Sequence, residues 1–182
     1  MASPDLPREA AELLHSASEL LSSAGPPAPE TLGQLVRLAA SEVPGCSGAS
    51  ATLWQDGEPA VFAASHPDLA ELATIERSAG CGPVTEARAA GKLVCTQDTL
   101  HEDRWPGYAA AALSRGVRSS VTLVHQSGPV VVTLSLFGAR PGQPGLADQP
   151  LARLAGVFGG AARGRAARLR PAEVPPPGAT GN

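Results

Sequence analysis

Cys81 is the residue in this sequence whose neighbours most suggest reactivity. It stands between Gly80 and Gly82-Pro83 at the expected start of a helix, where the positive end of the helix dipole could lower a thiol pKa and activate the sulfur. A small cysteine filling a tight turn accounts for the same residues without chemistry. The other two cysteines, Cys46 and Cys95, lie 35 positions before and 14 after it, with no CxxC pair and no His-x-x-x-His partner. Neither a disulfide framework nor a zinc site is signalled.

His101, Arg104, Trp105 and Tyr108 form the richest polar and aromatic cluster, in the loop 97–107 and just beyond it. They could line a small-molecule site, or Trp105-Pro106 could anchor a long loop by burying an indole. Arg118 opens a strand, where it fits either a ligand anion or a loop-fixing pair with Asp98 or Glu102. His15, His66, His101 and His125 are scattered without metal spacing, and nothing demands a haem ligand. Arg153, Arg163, Arg165, Arg168 and Arg170 gather toward the end of a helical pattern, which suits a solvated helix terminus more than a contact with nucleic acid or an acidic partner. A Ser/His/Asp arrangement, a GxxxxGK[ST] phosphate loop and a paired-carboxylate motif are all absent.

The elements that must position these residues follow from periodicity. Leu6, Ala10, Leu13, Leu14, Ala17, Leu20 and Leu21 trace a first helix, and Leu32, Leu35, Val36, Ala39 and Val43 a second, separated by the proline-rich break 25–29. Strands are expected over 49–55 and 59–64, joined by Asp56-Gly57, a strong hairpin signal. Pro67 opens a helix carrying Leu69, Leu72 and Ile75, and a short helix with Val84, Ala87 and Ala90 ends at Gly91. A short strand spans 92–96, a helix 108–115, and two β-branched strands, 117–125 and 129–137, form a second hairpin. Leu151, Leu154, Ala155, Phe158, Ala161 and Ala162 mark a terminal helix, and residues 171–182 read as a disordered tail.

Composition narrows the function classes. Gly 20 and Pro 18 make up about a fifth of 182 residues, short of low-complexity disorder, and 43% hydrophobic residues suffice for one core. With aromatics at 3% and a formal net charge of -3, a base-stacking platform or a phosphate-binding surface is disfavoured, so direct nucleic-acid binding is not expected. The longest apolar run falls far short of a membrane span, and the acidic start lacks a leader pattern, so a cytoplasmic chain is expected.

The order of elements is that of an α+β domain with helices on a central antiparallel sheet. Three segments, 49–54 (ASATLW), 80–87 (GCGPVTEA) and 94–98 (VCTQD), followed by Arg104-Trp105-Pro106 and by 116–123 (GVRSSVTL) with its hairpin, resemble in order and spacing the GAF domain family of high-GC bacteria. The resemblance covers roughly 31–170. It implies a sheet of about five to six strands, terminal helices packed together, and a domain at 29–170 preceded by a helix and linker at 1–28.

By that resemblance the chain is a non-enzymatic sensory or regulatory module of signal transduction or transcriptional control. It would bind a small ligand or a protein partner, with Phe62, Cys81, His101, Trp105, Tyr108 and Arg118 as candidate ligand residues and no cofactor specified. Related proteins often continue into an RNA-binding ANTAR domain, for which the residues after Arg170 are too few. A homodimer through the terminal helices is implied. Two alternatives stay open: a thiol redox switch or reductase centred on Cys81, and a ligand-free scaffold. The free methionine sulfoxide reductases, another branch, place an attacking cysteine where 105–113 has none.

Overall fold

A computed structural model describes residues 8, 12, 15, 28–127 and 130–144. Helix α1 (Ala28–Glu42) leads into strands β1 (Gly48–Gln55) and β2 (Glu58–Ala64), then α2 (Pro67–Ala79), α3 (Pro83–Ala90), β3 (Val94–Thr96), a 3-10 turn (Thr99–His101), α4 (Pro106–Ser114), β4 (Ser119–Ser127) and β5 (Val130–Gly138). The strands form one antiparallel sheet in the order β2-β1-β5-β4-β3. The architecture is α+β, with helices on a central antiparallel sheet as expected, and the sheet has five strands.

Local chemistry explains the breaks. Asp56 and Gly57 both take positive φ (52° and 87°), the primed turn that the right-handed twist of a hairpin favours. Pro67, Pro83 and Pro106 open their helices, while Gly80 and Gly91 close α2 and α3 in the left-handed conformation.

Period-two alternation gives the sheet two different faces. On one, Ala49, Ala51 and Leu53 meet Val121, Leu123, Val132, Leu134 and Leu136, and α1 seals them with Leu32, Leu35, Val36, Ala39 and Val43. The opposite face is covered by α2, α3 and α4, whose Leu69, Leu72, Ala87, Tyr108 and Ala112 pack with Trp105, Val94, Val124 and Phe137. It is on this second face that the strands carry hydroxyl side chains.

Several expectations lie outside the described residues: the helix over 6–21, apart from helical positions at Arg8, Glu12 and His15, the terminal helix, the packing of the two together, the arginine cluster 163–170, the tail and the dimer built on them. Among the described residues, no helix is long and apolar enough to cross a membrane.

Candidate functional site

Residues 50, 52 and 54 of β1 alternate with the apolar set and therefore point to the second face. Register places Ser50 opposite Ser135 and Thr52 opposite Thr133, while Thr122 of β4 stands opposite Ser135. All five hydroxyl residues are buried. Thr122 Oγ1 and Ser135 Oγ lie 3.0 Å apart in a hydrogen bond, and the Trp54 indole Nε1–H donates to Thr133 Oγ1 at 3.0 Å. Buried hydroxyls are costly unless bonded, so Thr122, Ser135 and Thr133 are held by polar contacts beside the apolar cluster of this face.

Above this face, α2 and α3 leave a cavity of about 220 Å³ lined by Ser50, Thr52, Trp54, Phe62, Ala73, Glu76, Arg77, Val84, Thr85, Arg88, Thr133 and Ser135. A second, larger recess of about 430 Å³, lined by Val124, Gln126 and Val131, shares Thr85 and Arg88 with it.

Glu76 is the most unusual residue of the cavity wall. It falls on the inward face of α2 in line with Leu69 and Leu72, and is only 5% exposed. The backbone N–H groups of Val84 and Thr85 donate to its Oε1 at 2.7 and 3.0 Å, so the carboxyl of one helix caps the start of the next. Gly82 makes this possible: its φ is 154°, and a Cβ there would sit 2.5 Å from the Glu76 side chain. Burial raises the Glu76 carboxyl to about 7, against the lowering pull of the Thr85 and Val84 amides. Its second oxygen has no hydrogen-bond partner among the described residues.

Two arginines supply the opposite charge. The Arg88 guanidinium stacks over the Trp54 ring, 3.6 Å from the ring centre, and its Nη2–H donates to the Gly57 carbonyl at 2.9 Å. Burial lowers its pKa, opposed by the charge of Glu58. Cation–π stacking of this kind fixes the guanidinium plane without consuming its remaining N–H donors. Arg77, one residue beyond Glu76, is exposed at the cavity rim, and its guanidinium has no partner among the described residues.

Of the residues singled out from sequence, Phe62 lines this cavity and the other five lie outside its lining. Cys81 is exposed in the turn between α2 and α3. Cys46 and Cys95 pack against the core beneath α1, on the other side of the sheet, with burial raising both thiols. His101 is exposed and faces Asp98 at 3.2 Å. Arg118 grips Asp98 through Nε and Nη2 at 2.9–3.2 Å, the loop-fixing pairing, and this holds the Asp98 carboxyl below its usual range. Trp105 is buried, edge-to-face with Tyr108 at 6.2 Å and covered by Arg104 at 4.1 Å. Tyr108 is buried among the helices, which raises its pKa, as does the nearby Glu76 charge. Arg104 binds Glu102 at 2.7 Å and the Cys95 carbonyl at 2.9 Å, tying the loop to β3. The loop cluster is thus an anchoring network.

Sequence reasoning passed over Glu76, Arg88, Trp54 and the hydroxyl ladder. Two signals were present: an acidic residue on the apolar stripe of α2, and strands whose alternation sets small hydroxyl residues, not charged ones, against aliphatic ones. Among the described residues no group of acidic, histidine and cysteine side chains could hold a metal ion.

No family model matches the chain, and no curated protein matches it in sequence. Solved structures do resemble it. The N-acylhomoserine lactone-dependent LuxR-family transcription factor CepR2 of Burkholderia cenocepacia superposes with a TM-score of 0.51 at 18% identity, covering 88% of this chain and 93% of that one. The free methionine-R-sulfoxide reductase of Neisseria meningitidis, solved with its substrate, gives 0.50 at 17% identity over 91% and 98%. The GAF domain region of a putative membrane protein from Geobacter sulfurreducens gives 0.49 at 15% identity over 76% and 93%. At these identities the first two likenesses establish a shared fold.

Proposed function

We propose that this chain is a non-enzymatic sensory or regulatory domain, acting in the cytoplasm in signal transduction or transcriptional control, that binds a small ligand between α2, α3 and the hydroxyl face of the sheet. The observation that carries the reading is the cleft itself: buried hydroxyls, an indole and a guanidinium held in fixed orientation, and a buried carboxyl converge on one space. A few convergent polar groups in a mostly apolar cleft are the usual signature of ligand recognition. Two neighbours of the same fold are described with small molecules, one as dependent on a homoserine lactone and one in complex with its substrate. The absence of a second thiol on the Cys81 side of the sheet weighs against reductase chemistry, which needs a resolving partner close by.

Native mass spectrometry of the purified chain, followed by denaturation and identification of released small molecules, tests the proposal. A stoichiometric extra mass that disappears in Arg88→Met is the expected result. A clean apo mass, with no small molecule from a deproteinised cell extract retained, would turn the domain into a protein-binding scaffold.

A further inference from the structure

Resting on that assignment of the cavity, we infer that its ligand is a small zwitterion of free amino acid size, with its cationic or N–H-donating end at Glu76 and its anionic end at Arg88 and Arg77. The charges are arranged for such a molecule. Glu76 is buried with one oxygen spent on Val84 and Thr85 and the other unpartnered among the described residues, so an N–H donor is what the inner wall lacks. The α3 amides are already taken by Glu76 and cannot serve as the anion site. That role falls to the arginines: Arg88 spends one N–H on Gly57 and stacks on Trp54, leaving donors towards the cavities it borders, and Arg77 has its whole guanidinium unpaired among the described residues.

The half-ligands fit less well. A simple organic anion would meet the arginines but leave the second Glu76 oxygen without a donor, and a simple amine would meet Glu76 but leave the guanidinium donors of Arg88 and Arg77 without an acceptor. A zwitterion satisfies both sets through charge-assisted hydrogen bonds. The space of about 220 Å³ equals about seven water volumes, the scale of one amino acid. The hydroxyls of Ser50 and Thr52 and the faces of Phe62 and Trp54 would meet the side chain.

The test uses the full chain and three isosteric probes: leucine, its deamino analogue 4-methylpentanoate and its decarboxy analogue isoamylamine, after the twenty protein amino acids have been screened for the best side chain and the probe set rebuilt on it. Binding is read from the indole N–H signal of Trp54 in nitrogen-15 spectra, with Trp105 as the internal control. The zwitterion should shift the Trp54 signal and bind at least about tenfold more tightly than either half-ligand, the worth of one charge-assisted contact. Glu76→Gln, which keeps a carbonyl for the α3 amides, should narrow the gap to the deamino analogue, and Arg88→Met the gap to the amine. Equal binding of the carboxylate and the amino acid would overturn the inference while leaving the cavity a ligand site. If no amino acid moves the Trp54 signal but components of a deproteinised cell extract do, the ligand class is wrong; if nothing does, the cavity assignment falls with it.

Discussion

The two faces of the central sheet are made by the same strands, often by adjacent residues, and they do opposite things. Under α1, every inward position of β1, β4 and β5 that joins the core is aliphatic, and Leu123, Leu134 and Leu136 have no exposed surface. One residue along each strand, the other face presents Ser50, Thr52, Thr122, Thr133 and Ser135, with Glu76, Trp54 and Arg88 arranged over them. Burial of aliphatic area drives folding, whereas a buried polar ladder contributes little net stability but fixes directions. The α1 face is therefore packed solid, whereas the opposite face combines an apolar cluster with a polar-lined cleft.

The comparison can be broken most forcefully at neighbouring positions of β5. Leu134→Ala should cost about 3 kcal/mol in urea denaturation, within the range for emptied core leucines, while Ser135→Ala, which removes the bond to Thr122, should cost about 1 kcal/mol or less. Equal losses would mean that both faces are ordinary core.

The Glu76 carboxyl sharpens the contrast through pH. Its pKa is raised from 4.5 to about 7 on folding, so between those values the folded chain holds a proton that the unfolded chain has released. That contribution is complete below pH 4.5 and is lost as pH rises through about 7. Glu76→Gln should remove a slope that totals on the order of 3 kcal/mol, visible as flatter stability between these pH values. An unchanged slope would place the titration elsewhere.

Gly82→Ala comes next. A methyl at φ 154° pressed against Glu76 should cost about 2 kcal/mol through backbone strain and loss of the α3 cap, as a lower melting temperature. Thr133→Val should cost about 1 kcal/mol by stranding the Trp54 indole N–H and should shift that signal in the ligand-free spectrum. Arg118→Ala, by contrast, removes a partly exposed pair from the loop, and its denaturation midpoint should stay close to that of the parent.

Much of this fold was readable from residue patterns because its determinants are local. The Asp56-Gly57 turn, the prolines at helix starts and the apolar stripe of α1 each act within a few residues, and the strands appeared within one or two residues of their expected ends. The site was much less legible. Trp105 and Tyr108 looked like ligand contacts because aromatic residues in a polar loop suit recognition, yet their rings satisfy each other and the helical layer. Arg118 took the loop-fixing pairing with Asp98. Glu76 was hidden because a carboxylate is expected at the surface unless something pairs with it, and its partners, two amides of the next helix, become visible only once α2 and α3 fold against each other. Arg88 needed Trp54 from a strand remote in sequence. Phe62, a candidate through the family resemblance, lies in the cleft lining.

The most direct test of the difference between the faces is a nitrogen-15 titration of the full chain with a deproteinised cell extract, following the Trp54 indole and the backbone amides of α1, α2 and α3. The account predicts shifts at Trp54 and along α2 and α3, absent in Arg88→Met, with the α1 amides unmoved. Shifts confined to α1, or an unchanged Trp54 signal at every extract concentration, would contradict it.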